Sequence, residues 1–145
     1  MEIKPEDIVR KLQKDAVDLK QALERTIPIK IGATAVEHFK ENFQQEGFVN
    51  NGLKKWQKRK HEKTTDREVL TVSSDLGSSI DYRTENGKVI VESDLPYAEV
   101  HNEGLRSGRG KGFTMPKRQF IGESKELTEK IENVIKQELD KILKP

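Results

Sequence analysis

"IDYRTENGKVIVES", residues 80–93, decides the fold. Two runs flank Asn86-Gly87, the pair preferred where both turn residues take positive φ and two strands must reverse tightly. Tyr82, Val89 and Val91 alternate as a half-buried strand does, and Ile90 falls on the opposite face. An antiparallel hairpin is therefore predicted in the middle of the chain.

The sequence on either side of this hairpin is helical. Upstream, Pro5 suits a first helical turn, with Glu6 and Asp7 placed to favour the positive helix end. Ile8, Leu12, Ala16, Leu19 and Leu23 recur at three- and four-residue steps, which predicts an amphipathic helix to about Arg25. Pro28 is expected to break it. A second helix is expected from about Ile29, carrying Ala35, Val36, Phe39 and Phe43 on one side and stopping at Gly47. Downstream, Ser124 can cap a last helix whose stripe is Leu127, Ile131, Val134, Ile135, Leu139 and Ile142. Both terminal stripes read as core.

Between these elements lie two polar spans. Residues 48–68 have no sustained period; Asn51-Gly52 marks a turn and Trp56 is the one large apolar anchor. Leu70 and Val72 could begin a short strand, and "SSDLGSSI" a turn that positions Leu76 and Ile80. "GLRSGRGKG", residues 104–112, is glycine-rich and cationic. The order is helix, helix, β-rich middle, helix. This predicts an α+β fold, a small antiparallel or mixed β-sheet with N-terminal and C-terminal helices packed on one face. One domain over residues 1–145 is expected, with mobile loops near 48–68 and 104–115.

Composition narrows the function. Hydrophobic residues are 32% of the 145 and charged residues 36%. A core that small leaves surfaces for a partner, or for copies of the same chain, to complete. Lysine and arginine number 27 against 25 acids, a net charge of +2, too near neutral to argue for nucleic acid from totals. There is no cysteine, which excludes disulfides, thiol catalysis and zinc–thiolate sites. No apolar run approaches the roughly 18 residues of a membrane span, and the N-terminus has no signal-peptide pattern. A cytoplasmic protein without a membrane anchor is expected.

Three constellations could carry chemistry. "PYAEVHNEG", residues 96–104, sets His101 near Tyr97, Glu99 and Glu103, as a general base or half a metal site would. Four-residue spacing gives His101 no second good ligand, and His38 and His61 lie in unrelated contexts. As a helix, the segment places Tyr97, Ala98 and His101 on one side, with Glu99 and Asn102 facing away. His101 is read as a packed structural histidine. "KKWQKRKHEK", residues 54–63, surrounds Trp56 with Lys54, Lys55, Lys58, Arg59 and Lys60. Such a run can grip phosphates and stack on a base, dock on an acidic protein surface, or stay solvated. In the glycine-rich loop, Arg106, Arg109 and Lys111 could do the same. Its Gly110-Lys111 is followed by Gly112 and not by a hydroxyl, so it is not a nucleotide-binding loop. No cofactor or metal is implied.

The order of these pieces carries a resemblance. "FKENFQQEGFVNNGLKKWQKRK" supplies Phe39, Phe43, Gly47 and Trp56. "LTVSSDLGSSIDYRTENGKVIVESDLPYAEVHNEG" supplies Leu76, Ser79, Ile80, Tyr97, Ala98, His101 and Gly104. "FTMPKRQFIGES" supplies Pro116, Arg118, Phe120 and Gly122. Across most of residues 29–145 the chain resembles the virion morphogenesis, or tail-completion, family of tailed phages, of the Mu-like G protein type. Ser74-Asp75 stands where that pattern has Ser-Gly, and aspartate tolerates turn backbone well.

The resemblance implies a non-enzymatic structural protein that completes the tail or joins head and tail. It implies phage tail or head–tail connector proteins as partners and a homo-oligomeric ring, a hexamer where it matches the tail. It places the protein in the host cytoplasm during assembly and then in the virion. Within that frame Tyr97 and His101 would pin the end of the hairpin to the body, and Gly104 would release the chain into its loop. The competing reading is a small nucleic-acid-binding protein using the basic loops, weakened because no recognised nucleic-acid motif accompanies them.

Overall fold

The computed structural model describes residues 1–57, 74–108 and 112–144. Helix α1, Pro5–Gln21, begins with Pro5 in its first turn and Glu6 and Asp7 beside it. It does not end before Pro28. A π-helical segment, Ala22–Thr26, joins it to α2, Ile27–Gln45, with Pro28 in the first turn of α2. The predicted break is thus a register shift. A proline lacks the N–H that an α-helix needs and crowds the carbonyl four residues back. A wider i to i+5 turn accommodates it, and the Ile27 N–H reaches the Ala22 carbonyl. The two helices form one continuous rod. It stops at Glu46, which takes left-handed φ of 53°.

The span from residue 48, read from the sequence as a loop, contains a hairpin. Strand β1, Gly47–Val49, pairs antiparallel with β2, Leu53–Lys55, around Asn51 and Gly52 at positive φ. A short helix α3, Ser74–Ser78, precedes the central hairpin of β3, Ile80–Glu85, and β4, Lys88–Ser93. Its register pairs Tyr82 with Val91 and Glu85 with Lys88, and Asn86 and Gly87 turn it at φ of 47° and 75°. Helix α4, Ala98–Glu103, follows, then β5, Arg106–Ser107, pairs antiparallel with β6, Phe113–Thr114, inside the glycine-rich span. Leu70 and Val72 lie outside the described residues.

Helix α5, Lys125–Leu143, starts where Ser124 accepts a hydrogen bond from the Leu127 N–H at 3.2 Å. It runs antiparallel to α2: Lys30 bonds Glu138 near one end, and His38 meets Ser124 and Lys130 near the other. The fold is α+β. Its described strands are all antiparallel and form three separate two-stranded sheets. Helix α2 lies between the β3–β4 hairpin and α5, and α1 packs on α5. Gly32 makes the hairpin contact close: a Cβ there would lie 2.2 Å from the Tyr82 ring.

The core gathers Ala35, Phe39, Phe48, Trp56, Leu76, Ile80, Ala98, Phe120 and Leu127. The α5 stripe is partly covered; Ile131 packs against this core. The α1 stripe is not core. No residue of α1 is buried: Ile8 and Leu12 are 52% and 61% exposed, Ala16 is exposed and Leu19 half-buried. The reason is geometric. The continuous helix carries its first turns beyond the elements that could cover them, and partial burial begins only at Asp15. No described helix is long and apolar enough to cross a membrane.

Candidate functional site

The segment "PKRQFIGES", residues 116–124, has no regular secondary structure through Gln119, yet Arg118, Phe120 and Ser124 are buried. Buried backbone outside a helix or sheet must find other hydrogen-bond partners. Here they come from three parts of the chain, α2, residues 56–57 and α4. The Arg118 N–H donates to the His101 carbonyl at 2.8 Å. The Arg118 guanidinium donates through Nε and Nη2 to the Gln57 carbonyl at 3.1 and 3.0 Å. Trp56 Nε1 donates to the Gln119 carbonyl at 2.8 Å, and Asn42 Nδ2 to the Phe120 carbonyl at 3.0 Å. Asn102 Oδ1 accepts from both the Phe120 and Ile121 N–H groups, at 2.9 and 3.0 Å. The aromatic rings close round the same segment: Phe43 packs on Trp56 at 5.4 Å and on Phe120 at 5.2 Å between centroids.

This network collects most residues singled out in the sequence. Phe39, Trp56, Leu76, Ile80 and Phe120 lie in the core with Phe43 against them. Ser79 Oγ donates to the Leu76 carbonyl and meets Ser93 Oγ at the base of the central hairpin. Tyr97 is exposed, and its ring stands edge-on to half-buried His101 with centroids 6.0 Å apart. Gly104 ends α4 in the left-handed region at φ 69°, where a Cβ would press on Lys117. Pro116 and Gly122 are half-buried along the threaded segment. Among the basic residues, Lys54 and Lys55 are exposed on β2 and Arg106 is exposed on β5. Lys58, Arg59, Lys60, Arg109 and Lys111 lie outside the described residues.

One sequence reading is corrected. Asn102 does not face away from the body. Four residues after buried Ala98, it lies on the same helix face as that alanine, and residues 118–121 return across that side, so it becomes their clamp. Asn42 was missed, although a polar residue within the apolar stripe of α2 is a visible signal. It is fully buried.

A buried Ser–His pair was also missed. His38 Nε2 lies 3.1 Å from Ser124 Oγ, and Lys130 Nζ lies 3.1 Å from His38 Nδ1. The Lys130 ammonium can only donate, so Nδ1 accepts and Nε2 carries the proton toward Ser124. A nucleophile–base pair needs the opposite polarity, with the serine donating to the ring. Burial holds the His38 imidazole below its ordinary value, and the Lys130 charge pushes the same way. Ser124 Oγ is committed to capping α5, and both residues are buried. The pair joins α2 to α5. Lys30 and Glu138 join the same helices further along, and hydrogen bonds from Lys30 and Lys141 hold the Glu138 carboxyl below the usual carboxylate range.

An open groove of about 1130 Å³ lies between α2 and β3. Its floor includes Ala33, Val36, Ile80 and Tyr82. Its charged lining is Glu37, Glu41, Asp81, Glu92 and Asp94 against Lys40 and Arg83. Arg83 is already committed to Glu85 and Glu92, so the groove is acidic.

The sequence profile described as the phage virion morphogenesis family matches residues 6–140. The chain belongs to that family. A similar protein, the Mu-like prophage FluMu G protein 2 of Haemophilus influenzae, is 32% identical over 76 residues, 52% of this chain and 53% of that protein. The chain thus spans about half the length of the curated relative it matches. No solved structure matches it. Of the residues that carried the resemblance to the family, Phe39, Trp56, Leu76, Ile80, Ala98 and Phe120 pack in one core, while Ser79 and Ile80 also line the groove and Tyr97 is exposed.

Proposed function

We propose that the protein completes the tail of a phage or prophage particle, or joins its head and tail, as a non-catalytic structural component. One observation supports this reading. Phe39, Phe43, Trp56 and Phe120, which carried the resemblance, are spent together with Asn42 and Asn102 in holding residues 118–124 inside the body, which leaves the surface to carry the function. Its direct partners are other tail or head–tail connector proteins, and it acts as a ring of copies, six where it meets a sixfold tail. It works in the host cytoplasm during assembly and stays in the finished junction. Tyr97 and His101 serve as the corner between β4 and the threaded segment. The basic stretches at residues 54–63 and 104–112 lie at contacts with neighbours.

The test is deletion of the gene from its phage or prophage, followed by electron microscopy of induced lysates. Filled heads and full-length tails should accumulate unjoined, and the chain supplied from a plasmid should restore whole particles. Normal joined particles without the protein would overturn the proposal.

A further inference from the structure

Helix α1 presents Ile8, Val9, Leu12 and Ala16 along one side, all exposed. Its own chain cannot cover them with the α2/β3 groove. The rod from Pro5 to Gln45 is continuous, so Ile8 sits 25 residues before Ala33, roughly 37 Å away at 1.5 Å per residue. The groove has the size and chemistry to receive the same stripe from elsewhere. Its α2 wall runs from Ala33 to Gln44, roughly 17 Å, and the stripe from Ile8 to Ala16 covers roughly 12 Å. The floor offers Ala33, Val36 and Tyr82. On the rim, Glu37, Asp81 and Asp94 have no ion pair among the described residues. The stripe is flanked by Lys4 and Lys11 on one edge and Lys20 on the other. Lys4 and Lys11 hold surface ion pairs with Glu2 and Asp15, of a kind weak enough in water to exchange for new partners.

We infer that the α1 arm of one copy docks in the α2/β3 groove of a second copy. Apolar residues of the arm cover the floor and its lysines meet the acidic rim. Each copy gives an arm and receives one through different surfaces. Such a contact is heterologous and propagates head to tail until it closes into a ring. The inference rests on the assembly role proposed above and supplies the contact that would build the ring.

The chain has no cysteine, which makes cross-linking clean. Leu12 and Ala33 are both exposed, so Leu12→Cys and Ala33→Cys should fold as the parent does. Mixing the two single variants with a short bis-maleimide should give a covalent dimer. Neither variant alone should do so, and the double variant should give a ladder of multimers. Leu12→Asp should keep the parental circular dichroism and melting temperature but lose the concentration-dependent rise in mass seen by light scattering. Dimer from Leu12→Cys alone, as arms pairing with each other would produce, overturns the inference. So does absence of product from the mixture at the highest soluble concentration, or an unchanged mass for Leu12→Asp. The deletion strain separates this from failure of the assembly role. If Leu12→Asp restores joined particles, the arm contact falls and the role stands. If the parent chain fails to restore them, the role itself falls.

Discussion

Replacing Asn102 with alanine should unclamp the threaded segment. Its Oδ1 accepts two backbone N–H groups, from Phe120 at 2.9 Å and Ile121 at 3.0 Å, and Phe120 is among the most buried side chains. Truncation leaves both donors without that acceptor, at about 1–3 kcal/mol each. Asn102 is half-buried, so water can reach part of the space; the lower half of the sum, about 2–4 kcal/mol, is expected. At about 3–4 °C per kcal/mol for a chain of this size, the melting temperature should fall by roughly 6–16 °C. Asn102→Asp is the control. A carboxylate keeps both acceptor bonds; its second oxygen would repel the Glu103 carboxylate, which is exposed and can turn into water, so the variant should stay within about 1 kcal/mol of the parent. Urea unfolding followed by Trp56 fluorescence reads both variants. If Asn102→Ala costs less than about 0.5 kcal/mol, or Asn102→Asp is as damaged as Asn102→Ala, the clamp is not what holds the segment.

Other outcomes follow from the same packing. Gly32→Ala ordinarily gains about 1 kcal/mol in a helix. Here its Cβ would meet the Tyr82 ring, so thermal melts should show a net loss of about 1–3 kcal/mol, relieved when Tyr82 is also shortened to Leu. Stability should fall in acid in two steps. His38 has a depressed folded pKa, so its contribution is full above the unfolded value of about 6.5 and is lost as pH drops through the folded one. Glu138 is also depressed, and its contribution should be lost below about 4.5. Denaturation midpoints measured from pH 8 to pH 3 should lose the upper step in His38→Gln. Arg118→Lys should destabilise by about 1–2 kcal/mol in the same urea assay, because one ammonium cannot repeat the two-nitrogen grip on the Gln57 carbonyl. Fluorescence anisotropy with duplex DNA should show little binding at physiological salt. Tight binding that falls steeply with salt would instead favour the nucleic-acid reading of the basic loops.

The sequence by itself determined what depends on near neighbours. Asn86-Gly87 set the central hairpin and its register, because few residues accept positive φ twice in succession. Ser124 set the start of α5, because its side chain bonds a backbone N–H three residues on. The spaced Phe, Trp, Leu and Ile positions marked the core, because a residue's hydrophobicity travels with it. Pro28 was legible as a disturbance but not as a π turn, since the cost of a missing N–H depends on whether packing on both sides holds the helix together. Only the tertiary structure decided the rest. It brought residues 118–121 onto Asn102, set His38 against Ser124 across 86 residues, and left most of the α1 stripe exposed while partly covering the α5 stripe. Helical periodicity reports which residues share a face. What that face meets depends on contacts between distant parts of the chain, and the local pattern carries no record of them.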